Sequence, residues 1–227
     1  GGSYPFFALC GAGLAFKLIQ GLYEFCGQPW ANQLLELAAL GTIADLVPLV
    51  DENRYLVQQG LAALSQTQRP GLQALYRWAG VQPGSLNAET AAFQVIPRLN
   101  APGRMGHAID SYRLLTTRSP AEAEALAERL EGLNQDRRGL TEKAVAAACD
   151  QVRSRSGSGG LPAFLLVSDC GITRGVAGLV AGRLAEMFHR PAAAVAAPGE
   201  DGNVVGSGRS IPEFDMFEAL SGCQDLF

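Results

Sequence analysis

Lysine is nearly missing from this chain. Of its 18 basic residues only Lys17 and Lys143 are lysines; the others are arginines. Any anion would therefore be met by planar guanidinium groups rather than by mobile ammonium groups. The arginine excess is itself read as compositional bias, so particular positions must carry any argument about phosphate. The net charge of −4 offers nucleic acid no overall attraction. Histidine is as sparse, with His107 and His189 alone, and no D-x-D or H-x-x-x-H spacing occurs. A hard divalent cation wants several oxygen or imidazole ligands, so a complete metal site is not visible in the sequence. Cys10, Cys26, Cys149, Cys170 and Cys223 are odd in number and never form a C-x-x-C pair. That argues against a structural zinc site and for reduced thiols in a cytoplasmic setting. No uninterrupted apolar run approaches the roughly 18 residues of a membrane-spanning helix. The opening Gly1-Gly2-Ser3-Tyr4-Pro5 lacks the basic and apolar regions of a secretory signal.

What remains is the composition of an ordinary globular protein, 227 residues with 48% hydrophobic and 18% charged, room for one large domain or two small ones. A helix is predicted from Leu9 to Phe25, entered through Cys10-Gly11-Ala12-Gly13, with Leu14, Leu18, Leu22 and Phe25 at helical spacing. Further helices are predicted over Leu34 to Leu40, Asn53 to Ser65, Leu72 to Ala79 and Ala88 to Val95, the last stopping before Pro97. Ser119-Pro120-Ala121-Glu122 spells a capping box with proline in the first helical position. The apolar stripe downstream runs to Val152, and an unbroken helix there would be a strut of roughly 50 Å between two lobes. Two helices bent near Gly139 are the alternative. Ser154 to Gly160 has the composition of a flexible linker. Ala163 to Ser168, Gly175 to Phe188 and Ala192 to Ala197 then read as strand, helix and strand, a βαβ unit with parallel pairing. A turn is expected at Gly199-Glu200-Asp201-Gly202. A helix beginning near Glu213 is expected to run uncapped to Phe227, as in a chain cut from a longer protein.

Three segments carry the chemistry. Gly41-Thr42-Ile43-Ala44-Asp45-Leu46-Val47 puts one carboxylate in an apolar run, where it is costly unless it meets a cation. Asp45 is therefore expected to be buried at the end of an element, facing a cleft; a simple helix-cap role is the bland alternative. Pro97-Arg98-Leu99-Asn100-Ala101-Pro102-Gly103-Arg104 is expected to be a loop holding Arg98, Asn100 and Arg104, either a phosphate contact or a surface tether. Gly206-Ser207-Gly208-Arg209-Ser210 suggests a nest of backbone N–H groups with Ser207 and Arg209 added. A metal-dependent enzyme acting on a phosphate-bearing polymer covers all three.

Those segments, with Leu9 to Lys17, Asp51-Glu52-Asn53-Arg54 and Gly175 to Leu184, stand in the order of a known family. The chain resembles the RecJ family of single-strand-specific 5′-to-3′ exonucleases, within the DHH phosphoesterase superfamily. The resemblance implies an α/β fold of two lobes joined by a long helix. It implies residues 1–118 as the C-terminal part of a DHH lobe, 119–155 as the connector and 161–227 as part of a DHHA1 lobe. It implies that Asp45 is a catalytic carboxylate helping to bind two Mn2+ or Mg2+ ions, and that Ser207 and Arg209 hold the 5′ phosphate, with Arg98, Asn100 or Arg104 helping. The family's Asp-His-His and earlier aspartate motifs would precede Gly1 and its Gly-Gly-His motif would follow Phe227, so the fragment alone is expected to be inactive. The implied partner is single-stranded DNA, in repair and recombination, for a cytoplasmic monomer without a membrane association. A small-nucleotide or oligonucleotide phosphodiesterase and a catalytically dead nucleic-acid-binding relative are the alternatives.

Overall fold

The computed structural model describes residues 4–29, 34–156, 160–199 and 202–223. The fold is helix-dominated α/β, and the chain divides into two compact units: Gly1–Pro102 with Ala108–Gly132, and Gly103–His107 with Leu133–Phe227.

The first unit is all helix. Helix α1 (Gly11–Phe25) starts at Cys10, whose Sγ accepts from the Gly13 N–H at 3.3 Å. It packs on α2 (Leu35–Ala44), which packs on α3 (Asp51–Leu64). The apolar stripe read in α1 is not its buried face: Gly13 and Phe16 are buried, whereas Leu14, Leu18, Leu22 and Phe25 are exposed, Phe25 to 90%. Small residues let α1 approach α2 on the other side, where Ala12 lies against Gly41. Helix α4 (Pro70–Ala79) begins with proline, where a missing N–H costs nothing, and ends on Gly80 in the left-handed region. Its Gly71 sits directly beneath the backbone of α7 (Ile109–Thr116): a methyl there would come 1.8 Å from the Leu114 carbonyl oxygen. Neither helix can move aside cheaply. Gly71→Ala is expected to cost about 3 kcal/mol, the upper end of overpacking penalties. For a chain of this size that lowers the melting temperature by roughly 6–12 °C, which calorimetry would check.

The segment from Ala88 is where the sequence reading fails most. The expected short helix and loop are one helical run: α5 (Ala88–Thr90), a π-helical turn over Ala91–Val95, and α6 (Ile96–Met105). Proline at 97 would normally break an α-helix, because its ring meets the carbonyl four residues back. Here that carbonyl belongs to the wider π turn. Pro102 lies inside α6 and is buried along with Ala101. The helix holds against a cost of roughly 3 kcal/mol because Ser111 Oγ donates to the Leu99 carbonyl at 2.7 Å and Arg98 pairs with Glu131.

Helix α8 (Pro120–Arg155) is continuous over 36 residues, with no break at Gly139. The Glu122 N–H donates to Ser119 Oγ at 3.3 Å, as a capping box requires. The reciprocal half differs: the Glu122 carboxylate accepts from Thr117 Oγ1 and Arg113, which hold its pKa below the usual range, and the Ser119 N–H goes to Thr117. Its Ala123, Leu126, Ala127 and Leu130 belong to the core of the first unit; Ala144, Ala148, Cys149 and Val152 belong to that of the second.

In the second unit β1 (Leu165–Val167) pairs in parallel with β2 (Ala192–Val195) through α9 (Arg174–Phe188), as the pattern predicts. Strand β3 (Gly206–Arg209) pairs antiparallel with β2, giving the order β1-β2-β3. The outer edge of β1 is closed by α8: Gln151 exchanges two hydrogen bonds with the Ser168 backbone, and Arg155 donates to the Leu166 carbonyl. Helix α10 (Met216–Ser221) begins three residues later than expected, capped by the Asp215 carboxylate, and ends at Gly222. Parts of the linker at 157–159, the turn at 200–201 and the stretch 224–227 lie outside the described residues. All five cysteines are free, and among the described residues no helix is long and apolar enough to cross a membrane.

Candidate functional site

Helix α9 presents three glycines on one face. Gly175, Gly178 and Gly182 are spaced i, i+3, i+7, so they line up along the helix. Two of the arginines singled out in the sequence rest on this face. Over the first turn lies Arg104. Its Nη1 donates to the Gly175 carbonyl at 3.2 Å, and its own carbonyl stands where a Gly175 side chain would begin, 1.8 Å from that point. About 4.5 Å further along the axis lies Arg209: Nη2 is 2.9 Å from where a Gly178 methyl would be, and Nε and Cγ pass over Gly182. Arg209 Nη1 also donates to Ser207 Oγ at 3.3 Å and to the Gly208 carbonyl at 2.8 Å.

The Gly206-Ser207-Gly208-Arg209 segment is therefore not a nest. It is strand β3 itself, with Ala194 opposite Ser207 and Ala192 opposite Arg209. Alternation along a strand sends Ser207 and Arg209 to the same face, towards α9. The expected hydroxyl and guanidinium are together, but extended backbone provides no concave cluster of N–H groups.

Beside Arg104 is an open depression of about 540 Å³, lined by Gly103 to Gly106, Leu140 and the first residues of α9, Thr173 to Gly175. Thr173 is the N-cap and makes no side-chain capping bond. The N–H groups of the first turn thus add partial positive charge to an arginine-rich rim. Arg137 belongs to the same neighbourhood. Burial, and then the charges of Arg104 and Arg138, push its guanidinium below its ordinary pKa. Its Nη2 donates to Asn134 Oδ1 at 2.9 Å, while its Nε is buried with no hydrogen-bond partner among the described residues. Like charges held this way repel one another, and a bound anion would relieve the repulsion. The glycine face and Arg137 were missed in the sequence reading. The i, i+3, i+7 glycine spacing was the available signal for the first; Arg137 gives no local signal.

The other predicted residues belong to the first unit. Asp45 is the C-cap of α2, at the end of an element as expected, but it is exposed rather than buried. The chain leaves α2 through Leu46 in the left-handed region (φ 56°), which swings the segment outward. Asn53 Nδ2 then pins it by donating to the carbonyls of Pro48, at 3.0 Å, and Ala8, at 2.7 Å. A carboxylate at the negative end of a helix is disfavoured unless solvent or a cation compensates. Asn100 is exposed on α6. Arg98 is not in a loop and not open to a ligand: its Nε is paired with Glu131, its Nη1 donates to the Gln94 carbonyl at 2.6 Å, and the two charged side chains are only 13% and 11% exposed.

The described residues do not build a metal centre. No group of three or more His, Cys, Asp or Glu among them could hold an ion, and Asp45 offers one carboxylate.

No protein-family model matches the chain. It is 42% identical over its whole length to the single-stranded-DNA-specific exonuclease RecJ of Bacillus subtilis, covering 28% of that protein. It is 36% identical to the RecJ of Escherichia coli over 99% of the chain and 41% of that protein. Its fold matches the crystal structure of Thermus thermophilus RecJ in complex with Mn2+, with a TM-score of 0.82 and 35% identity, over 95% of this chain and 31% of that one. The same protein in complex with Mg2+ matches at 0.83, over 99% of this chain and 34% of that one. By fold the chain falls with the RecJ structures. Throughout its length it is similar to a segment of the RecJ proteins, and it spans well under half the length of the curated relatives cited.

Proposed function

We propose that this chain is part of a divalent-metal-dependent exonuclease that removes nucleotides from the 5′ end of single-stranded DNA, and that its share of the work is to hold that end. The observation that carries the reading is the seating of Arg209, with Ser207 beside it, on the glycine face that also carries Arg104. A terminal phosphate monoester bears more charge than an internal diester, and a forked guanidinium with a hydroxyl suits it. In this reading Arg104 and the first turn of α9 take the same or the adjacent phosphate. Asn100 is an accessory strand contact. Arg98 is structural.

Residues 1–118 are read as part of a DHH lobe, 119–155 as its connector and 161–227 as part of a DHHA1 lobe; separate cores and an unbroken α8 support this. Free cysteines support a cytoplasmic setting, and the protein is read as a monomer acting in DNA repair and recombination. Asp45 is read as one catalytic carboxylate of a Mn2+ or Mg2+ centre, the ions that accompany the RecJ structures. The test is Asp45→Ala in a full-length RecJ-family protein carrying this segment. Because Asp45 is exposed and at the wrong end of a helix for its charge, the melting temperature should stay the same or rise slightly. Release of nucleotide from 5′-labelled single strands should fall by at least about a hundredfold, as for removal of a first-order catalytic group, and Mn2+ binding measured by calorimetry should weaken. Full activity in that variant would remove Asp45 from the site.

A further inference from the structure

We propose that Gly178 is a positioning residue: its missing side chain is the seat of the Arg209 guanidinium and the Ser207 hydroxyl. The inference rests on the reading that this pair holds the 5′ phosphate. A methyl on Gly178 would lie 2.9 Å from Arg209 Nη2, 3.0 Å from Ser207 Oγ and 3.6 Å from Arg209 Cζ. Real side chains do not sit that close, so something must move. The two nearest neighbours are the ends of side chains. Arg209 is exposed, and its guanidinium is held by Ser207 Oγ and the Gly208 carbonyl, contacts that a shift of the side-chain end would break without moving the backbone. The displacement therefore falls on the arginine and the serine, while α9 and β3 keep their places.

Gly175 and Gly182 differ in kind. At Gly175 a side chain would collide with the Arg104 backbone at 1.8 Å, so that glycine serves the packing of the helix. At Gly182 a methyl would lie 3.9 Å from Arg209 Nε, an ordinary contact. Only at Gly178 does the absence of a side chain set where the charged end of Arg209 stands. Alanine is also the better helix former. Gly178→Ala should leave the protein as stable as before, or more so, while spoiling the site, which no purely structural role would do.

The experiment uses a full-length RecJ-family protein with this segment, in five forms: unchanged, Gly178→Ala, Gly182→Ala, Arg209→Ala, and Gly178→Ala combined with Arg209→Ala. Each is assayed on matched single-stranded oligonucleotides with a 5′ phosphate or a 5′ hydroxyl, and melted. Gly178→Ala should lower the phosphate-to-hydroxyl ratio of kcat/KM about tenfold, the loss of roughly one charge-assisted hydrogen bond. The effect should sit in KM, with no fall in melting temperature. Gly182→Ala should shift the ratio less. In the Arg209→Ala background, adding Gly178→Ala should have a much smaller effect, the part that acts through the Ser207 hydroxyl alone. Where Arg209→Ala lowers the ratio, an unchanged ratio in Gly178→Ala, a lowered melting temperature, or equal effects with and without Arg209 would overturn the seat. If Arg209→Ala itself leaves the ratio alone, the phosphate reading fails. The seat is then judged by whether the two substitutions are non-additive on total single-strand cleavage.

Discussion

Arg209→Ala in a full-length RecJ-family protein is expected to erase most of the preference for a 5′-phosphorylated strand, by roughly 10- to 150-fold, while cleavage from a 5′ hydroxyl end falls little. The range follows from hydrogen bonds to charged groups at about 1.5–3 kcal/mol, converted at about 1.4 kcal/mol per factor of ten. Geometry gives the asymmetry. Arg209 already spends one Nη1 contact on Ser207 and one on the Gly208 carbonyl, which fix its plane, and it remains exposed. A contact along the strand would behave otherwise: its loss would weaken both substrates alike and reduce the salt dependence of binding. Equal losses on the two substrates would therefore make Arg209 a general backbone contact and shift the terminal phosphate to Arg104. The measurement is kcat/KM on the two oligonucleotides across a salt series.

The largest expected effect on stability lies in the ion pair of Glu131 with Arg98, an arginine the sequence offers as a phosphate contact. Glu131→Ala leaves the Arg98 guanidinium almost buried and without its carboxylate, at a cost of about 3–5 kcal/mol. The corresponding drop in melting temperature is roughly 6–20 °C at this chain length. Arg98→Ala should do comparable damage from the other side. Replacing both, as Arg98→Met with Glu131→Leu, should recover most of the loss, because a well-packed apolar pair often matches a buried ion pair. Arg98→Ala with an unchanged melting temperature and weakened DNA binding would return Arg98 to the site. Thermal melts of the three variants, set against binding to a labelled oligonucleotide, decide it.

The setting of Arg98 on a helix, paired with Glu131, shows what a sequence alone does not carry. Its partner is 33 residues away and on another helix, and no local pattern announces the pairing. Pro97 and Pro102 argued for a loop, and by propensity they should; tertiary packing and one π turn overrode them. Features set by near neighbours were legible. Ser119, Pro120 and Glu122 marked the start of α8, and the apolar runs with a helix between them marked the parallel pair β1 and β2. The adjacency of Ser207 and Arg209 is legible in the segment Gly206 to Ser210, but its being a strand is not. Asp45 shows the middle case: the end of α2 was foreseen, and its exposure was not. The run Ile43 to Val47 looks buried by composition. Only the left-handed turn at Leu46 and the two hydrogen bonds from Asn53 carry it outward.

The sheet of the second unit has an asymmetry with its own consequence. On the β1 side, Gln151 and Arg155 of α8 occupy the backbone groups that another strand would need. Among the described residues no strand lies beyond β3. Any polypeptide that extends this sheet must therefore arrive alongside Gly206 and Gly208, the outward-facing members of β3's pairing with β2. It would meet the Arg209 contact on the Gly208 carbonyl as it did so. Sheet growth and the arrangement of that arginine cannot be varied independently. A mutation that lengthens or twists the β3 edge should therefore alter the arginine's hold on Gly208, even if every residue on the glycine face is left untouched.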